Sequence, residues 1–498
     1  MALVPVGEGS VVIVARTPAG AQGTQKKGIV NVLKALAEAE PTPFWLQDPA
    51  RPEPYPSLVE TTTCDLAVIG GGYTGLWTAL LAKERDPSLD VVLVDADLVG
   101  EAASGRNGGF CAASLTHGLW NGMERWPRQI KTLERLGKEN LAEIASAVDR
   151  YGIDCEFEFT GELKVATEPW QLPELEEEAG HGAALGHDMR LLDRDEMRAE
   201  VDSPTYLGGL WDVDGAAMLH PSKLAWGLRE ACAALGVRIY ERTPVTSMEG
   251  DGGGVLLRSP YGRIRARKVA LGTGAFPPLL KRLKHYLVPV YDYALMTEPL
   301  SEARLASLGW GNRQGLSDAA NQFHYYRLTS DNRILWGGYD AIYHFRNGVR
   351  SELESRPETF ARLSEHFFRT YPQLEGVNFT HRWGGVIDTC SRFCAFYGKA
   401  MGGRLAYAVG YTGLGVGATR FGAEVMLDHL EVGPATDERA ERLGLAMVTG
   451  KPLPFPPEPF RFGAIQLTRW SIARADANQG RRNLWLRTLD RFGLGFDS

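Results

Sequence analysis

Apolar and polar positions along the chain fall into two textures. Cys64 to Ile69 is a strand-length run carrying Leu66, Val68 and Ile69; glycines follow, then a helical stretch from Gly75 to about Arg85 and a second apolar run, Val91 to Val94. A further helix opens at Pro221, with Leu224, Leu228, Cys232 and Leu235 at helical spacing, and leads into a short strand, Arg238 to Tyr240. Tyr407 to Tyr411 reads as a strand, with a helix after it to about Leu430. Between these stretches the pattern changes. Glu156 to Ala166 alternates as a half-exposed strand does, and Phe323 to Tyr339 reads as two strands joined at Ser330-Asp331-Asn332. The expected fold class is therefore α/β: one Rossmann-like nucleotide-binding domain assembled from separated stretches, with a second, mainly antiparallel-sheet domain inserted between them. At the ends, Leu33 to Glu40 is expected to form a short helix, and the proline-rich Pro41 to Pro56 an extended strap. Lys451 to Ser498 starts with prolines, ends basic and aromatic, and reads as a wrapping tail.

The chain has 498 residues, about three domain-lengths at roughly 150 residues each. Its 44% hydrophobic and 23% charged residues suit a folded protein, and the net charge of −7 argues against a general nucleic-acid binder. No apolar run approaches the roughly 20 residues of a membrane-spanning helix, so neither nucleic acid nor a membrane is expected as a partner. The cysteines (Cys64, Cys111, Cys155, Cys232, Cys390 and Cys394) are scattered, with no paired CxxC spacing, so neither a disulfide framework nor a metal site is expected. Near the N-terminus the apolar Val11 to Val14 precedes Lys26 and Lys27, the reverse of a secretory leader. A cytoplasmic location is expected.

Gly70-Gly71-Gly72-Tyr73-Thr74-Gly75 places Gly70, Gly72 and Gly75 at GxGxxG spacing between a strand and a helix. The first glycine permits a tight turn, the second lets a diphosphate approach bare backbone, and the third lets helix and strand pack closely. An anion then sits on the helix N-terminus, where N–H groups lack partners. Asp95, directly after Val91–Val94, stands at the end of the second strand, where a carboxylate accepts hydrogen bonds from an adenosine ribose. An acid there disfavours a 2′-phosphate and leaves NAD and FAD.

The next segment is Ala102-Ala103-Ser104-Gly105-Arg106-Asn107-Gly108-Gly109-Phe110. Here the chain resembles the FAD-dependent amine and amino-acid oxidoreductases of the D-amino-acid oxidase superfamily, in particular its glycine/sarcosine-oxidase and gamma-glutamylputrescine-oxidase-like branch. In that family such a loop runs beside the pyrophosphate and reaches the flavin ring. Ala270-Leu271-Gly272-Thr273-Gly274-Ala275 resembles the family's second glycine motif, and Val245 the position whose backbone meets adenine. Thr412-Gly413-Leu414-Gly415-Val416-Gly417 resembles the C-terminal flavin motif, whose helix N-terminus points at the pyrimidine side of the ring. There, helix N–H groups stabilise the negative charge of two-electron reduction. Gly413, Gly415 and Ala418 also fit GxGxxA, but the charged Glu431 to Arg442 supplies no second strand for an NAD(P)H unit. The resemblance spans roughly residues 44 to 430 and implies FAD held by Gly70, Gly72, Tyr73, Thr74, Gly75, Asp95, Ser104, Arg106, Asn107, Gly108, Gly109, Val245, Thr273, Gly274, Gly413, Leu414, Gly415 and Val416. Family members that tether FAD covalently use a Cys just after the inserted domain or a His near the first flavin loop. This chain has Trp383-Gly384-Gly385-Val386 and Arg106-Asn107 at those places, so non-covalent FAD is expected.

The domain division that follows is 1–43 an N-terminal extension; 44–150, 212–285 and 384–435 the FAD-binding domain; 151–211 and 286–383 the substrate domain; and 436–498 the wrapping tail. By resemblance the reaction is oxidation of the C–N bond of an amine or N-substituted amino acid by hydride transfer to flavin N5. The imine hydrolyses, and electrons pass to oxygen or another acceptor. Tyr293, His324, Tyr325, Arg327 and Trp383 are the substrate-pocket candidates, with Tyr291 and Tyr326 beside them in sequence; a lone histidine such as His324 or His117 is more often a satisfied hydrogen bonder. Strand aromatics are more often core than pocket residues, and a guanidinium such as that of Arg327 suits a substrate carboxylate or phosphonate, or a structural ion pair, alike. The competing functions are a flavin monooxygenase or NAD(P)H-linked reductase, and a non-catalytic flavoprotein subunit of a larger dehydrogenase.

Overall fold

Strands that are apolar at every position need cover on both faces, which is the signature of a parallel sheet between layers. A computed structural model, which describes residues 2–5, 11–14 and 33–494, shows this arrangement. Arg238–Tyr240, Val91–Val94, Thr61–Ile69 and Arg263–Leu271 lie side by side in parallel. The last three residues of Arg263–Leu271 also pair with the parallel strand Leu405–Val409, and its first four with the antiparallel Gly254–Arg258. Ile69, Val94 and Leu271 share a level, so the carboxyl ends of strands from three separated parts of the chain open at one edge. Helices Tyr73–Arg85, Pro221–Ala234 and Gly415–His429 bury Leu76, Leu80, Leu224, Leu228 and Val425 on one face. Val92, Val255, Phe396 and Tyr407 fill the other.

The second sheet has nine strands. Its long central pair is Val288–Thr297 with Phe379–Thr389, and Ile334–Gly338, His324–Leu328, Gly315–Asp318, Glu162–Ala166, Gly208–Asp212 and Met189–Leu192 follow outward. Neighbours are antiparallel except Gly315–Asp318 beside Glu162–Ala166. Helix Pro357–Thr370 covers one face, packing Phe360, Leu363 and Phe367 against Tyr293 and Trp336. The opposite face looks towards the first domain. Register puts Tyr325 level with Ser317 and Gly337, so Tyr325 and Arg327 share that inner face.

Several expectations change in detail. The strand expected over Glu156 to Ala166 is confined to Glu162–Ala166, because Glu156 and Gly161 adopt left-handed conformations (φ 55° and 71°) that interrupt pairing. The strand Phe379–Thr389 crosses the expected division at residue 383. The extended strap contains a 3-10 turn, Phe44–Gln47, whose Trp45 is fully buried against Met296, Leu335 and Trp383. The tail carries two helices, Phe460–Asp476 and Leu484–Arg491. Lys26, Lys27 and residues 495–498 lie outside the described residues. Among the described residues no helix is long and apolar enough to cross a membrane.

Candidate active site

A chamber of about 1490 Å³ lies between the two sheets. At its first end the strand Thr61–Ile69 turns into helix Tyr73–Arg85 through Gly70, which holds φ +106°. A Cβ there would strike the Gly272 carbonyl, so the two glycine motifs touch only because both lack side chains. Gly75 meets the Gly70 carbonyl oxygen so closely that a Cβ would overlap it. It is not on the chamber wall; its position packs helix against turn. Gly70, Gly72, Tyr73 and Thr74 line the chamber, and the helix starts there with no side-chain cap and no acid in its first turn. Those are the conditions under which backbone N–H groups hold a diphosphate.

Asp95 shares this end. Its Oδ2 accepts from Gly71 N and its Oδ1 from Asp97 N at 2.8 Å, while burial holds its pKa above the ordinary carboxylate range. A carboxylate has about four lone-pair directions, so two remain for ribose hydroxyls. Val245, Thr273 and Gly274 stand on the same stretch of wall. Asp95→Ala is expected to raise the Kd for FAD by about 10- to 100-fold, measured by titrating apo-protein with FAD and following flavin fluorescence.

The loop from Ser104 to Gly109 is held from three sides. Trp45 Nε1 donates to the Asn107 carbonyl at 2.9 Å, Trp383 Nε1 to the Arg106 carbonyl at 2.9 Å, and Arg327 Nη1 to the Gly109 and Leu219 carbonyls at 3.3 and 2.7 Å. Ser104 Oγ accepts from Tyr73 N at 3.0 Å, tying the loop to the first glycine turn. Arg106 pairs with Glu354 across the domains. Ser104, Arg106, Asn107 and Gly108 line the chamber; Gly109 lies behind them, under Arg327. At the far side Leu414, Gly415 and Val416 begin helix Gly415–His429, again with no side-chain cap and no acid in the first turn. Gly413 holds φ +94° and faces open space. At both helix starts the N-cap residue offers no side-chain bond; in the first, Ser104 takes the Tyr73 N–H and the following N–H groups are left. Together with bare glycines at both and a carboxylate beyond the first, these starts fit a flavin dinucleotide stretched between them.

The substrate-domain candidates separate into two groups. Tyr325, Tyr293 and Trp383 line the chamber, each with its polar atom engaged: Tyr325 Oη donates to Asp292 Oδ2 at 2.6 Å and Tyr293 Oη to the Leu353 carbonyl at 2.8 Å. Arg327 and His324 do not line it. Arg327 is 2% exposed and spends its guanidinium on three backbone carbonyls, so a role as substrate anchor is corrected to that of a clamp on the backbone at Gly109 and Leu219. His324 bonds Asp318 through Nδ1 and His366 through Nε2 and stacks on Trp336, which makes it a core residue. His117 lines the chamber, and burial pushes its pKa down to about 4. Cys390 and Cys394 are buried off the wall, and the Cys390 thiol donates to the Cys394 carbonyl at 3.1 Å.

Three features escape the sequence reading. Asp292, beside Tyr325, lies in an apolar strand where a single acid carries no spacing signal; burial pushes its pKa up to about 6. Asp388, also on the wall and also raised to about 6 by burial, accepts from Gly410 N at 2.6 Å and fixes the approach to the turn before helix Gly415–His429. The third is the tail, whose residues Ile465, Arg469, Ile472 and Trp485 close one side of the chamber.

Fold and site together define a flavin-dependent oxidoreductase, and the match to the family described as FAD dependent oxidoreductase (DAO) runs over residues 65–429. The chain belongs to that family. It is 34% identical to gamma-glutamylputrescine oxidoreductase of Escherichia coli (strain K12), over 76% of this chain and 86% of that protein. It is 22% identical to the sarcosine oxidase subunit beta of Rhizobium meliloti (strain 1021), over 70% of this chain and 77% of that protein. The crystal structure of glycine oxidase from Geobacillus kaustophilus superposes with a TM-score of 0.63 at 20% identity, covering 76% of this chain and 96% of that one.

Proposed function

We propose that the enzyme oxidises the C–N bond of a primary or secondary amine, including amines that are N-substituted amino acids. The observation that carries this reading is Asp292 on the chamber wall. Its carboxylate receives the Tyr325 hydroxyl at 2.6 Å and Tyr293 N at 2.8 Å, with burial placing its pKa near 6. Above that pH it is an anion in an apolar chamber, which attracts an ammonium group; desolvation lowers the ammonium's own pKa and favours the neutral amine the reaction requires. Asp292 receives the amine proton, and Tyr325 holds the carboxylate in place. Bound FAD supplies the two-electron oxidation. Trp383 walls the carbon skeleton, Tyr293 backs the sheet from the helix side, and the clamps on residues 104–109 keep that loop in register with the substrate-domain sheet. Non-covalent FAD is supported by Cys390, whose thiol burial holds at a pKa of about 12. Electrons leave to oxygen or to another acceptor. The six free, buried cysteines support a reducing, cytoplasmic setting.

The test is an anaerobic screen of primary amines, secondary amines and amino acids with the holoenzyme, watching loss of the visible flavin band. At least one amine is expected to bleach it with no pyridine nucleotide present. Bleaching by NADH or NADPH alone would overturn the proposal in favour of a reductase.

A further inference from the structure

The two tail helices lie beyond the 65–429 span of the family, yet they complete the chamber wall. They are fastened by polar contacts. The Asp476 carboxylate accepts from Gln322 N at 2.9 Å and Asn321 Nδ2 at 2.6 Å, and Arg461 donates to Asn347 at 2.9 Å. Trp485 Nε1 donates to Thr468 at 2.9 Å and holds the two helices together. In helix Phe460–Asp476 only Arg461, Ser471 and Ala475 are buried, so its chamber face is a wall rather than a packed core.

Charged groups of both signs meet on this wall, where Asp340 and Glu354 line the chamber beside the arginines. Asp340, 3% exposed, is approached by three guanidinium groups. Arg362 holds both its oxygens at 2.8 Å, and Arg356 one of them at 3.1 Å while also pairing with Glu358 at 2.9 Å. Arg469 stands 4.0 Å from the same carboxylate and hydrogen-bonds Gln466 at 3.0 Å. Of the three it is the one that lines the chamber, and the exposed Arg350 lines it too. Burial pushes the Arg469 pKa down, with Arg356 and Arg362 acting the same way against Asp340. A neighbour registers the same field: His344 keeps a buried Nε2 without a hydrogen-bond partner, and burial together with Arg356, Arg350 and Arg469 pushes its pKa down.

We propose that Arg469, supplied by the C-terminal extension, and Arg350 form an anion subsite that binds a carboxylate on the amine substrate. A guanidinium matches a carboxylate in two-point geometry and, half removed from water, gains from it more than a surface ion pair does. The inference rests on the amine-oxidation reading for what the subsite serves, but binding of the carboxylate is measured without turnover. The chamber then takes a substrate with two poles: an amine at Asp292 and Tyr325, and a carboxylate at the tail.

The experiment titrates the holoenzyme with glutarate, glutaramide and inorganic phosphate, following perturbation of the flavin spectrum. Glutarate is expected to bind at least about tenfold tighter than glutaramide or phosphate, and Arg469→Gln to lose at least about tenfold of that affinity, with Arg469→Lys between the two. FAD content and melting temperature of both variants, compared with wild type, show that the fold is kept; if Arg469→Gln fails to fold, Arg469→Lys and Arg350→Gln carry the same comparison. Glutarate binding that is absent, no tighter than glutaramide, or unchanged in the variants overturns the subsite, and tighter phosphate binding overturns its assignment to a carboxylate. Failure of the amine screen with glutarate binding intact would sink the catalytic reading and leave the subsite standing.

Discussion

Gly75→Ala is expected to yield protein that purifies largely colourless, with a lowered melting temperature. The added Cβ would overlap the Gly70 carbonyl oxygen, which is backbone and cannot rotate away. Helix Tyr73–Arg85 must therefore lift from the turn, at a cost of about 1–3 kcal/mol by analogy with overpacked cores. Because the diphosphate is to be gripped by that helix's first N–H groups, the same displacement removes the cofactor. The ratio of bound flavin to protein and the melting temperature measure both effects. Gly180→Ala is the control: this exposed helical glycine has nothing within 4 Å of a Cβ, so alanine there leaves flavin content unchanged and stabilises by up to about 1 kcal/mol. Equal flavin loss in the two variants would refute the steric argument.

Asp292→Asn is expected to lower kcat/KM for the best amine by about 10²- to 10³-fold, since the amide neither attracts an ammonium nor accepts its proton. In the wild type kcat/KM falls as pH drops through about 6, where Asp292 takes up a proton; the variant loses that limb. Stability moves the other way. The unfolded chain releases the Asp292 proton near its ordinary value of 3.8, whereas burial makes the folded protein keep it to about 6. Between those values the unfolded state binds fewer protons, so wild-type stability declines as pH rises across that window relative to Asp292→Asn, and the difference is constant above it. Paired melting curves at pH 4 and pH 7 check the sign. A variant with unaltered kcat/KM and the same pH profile would remove Asp292 from the reaction.

What the sequence discloses depends on whether one residue's environment is set locally. Val91–Val94 and Arg238–Tyr240 have the bounds expected, because short apolar runs closed by turns have one way to be buried in a parallel sheet. Gly75 stands where its spacing puts it because it answers a contact within the turn, the Gly70 carbonyl, whereas Gly70 and Gly72 answer Gly272 and Ser104, which the spacing alone does not reveal. Strand neighbours on the second sheet are another matter. His324 and Tyr325 are adjacent, yet the pleat sends one to the core with Trp336 and the other to the chamber, and which is which depends on register with Ser317 and Gly337. Arg327 shares the inner face with Tyr325 and still misses the chamber, because the Gly109 and Leu219 carbonyls, distant in sequence, claim its guanidinium. Asp292 and Arg469 gain meaning only from what surrounds them, and the tail has no motif at all.

The first sheet is stitched from strands that begin at Thr61 and finish with Leu405–Val409, whose helix supplies the second uncapped N-terminus. A ribosome that has delivered the opening glycine turn has therefore made only half of a cofactor trap. The nascent chain must hold that half open until helix Gly415–His429 has been made, so capture of the prosthetic group is expected only after both glycine turns have been synthesised.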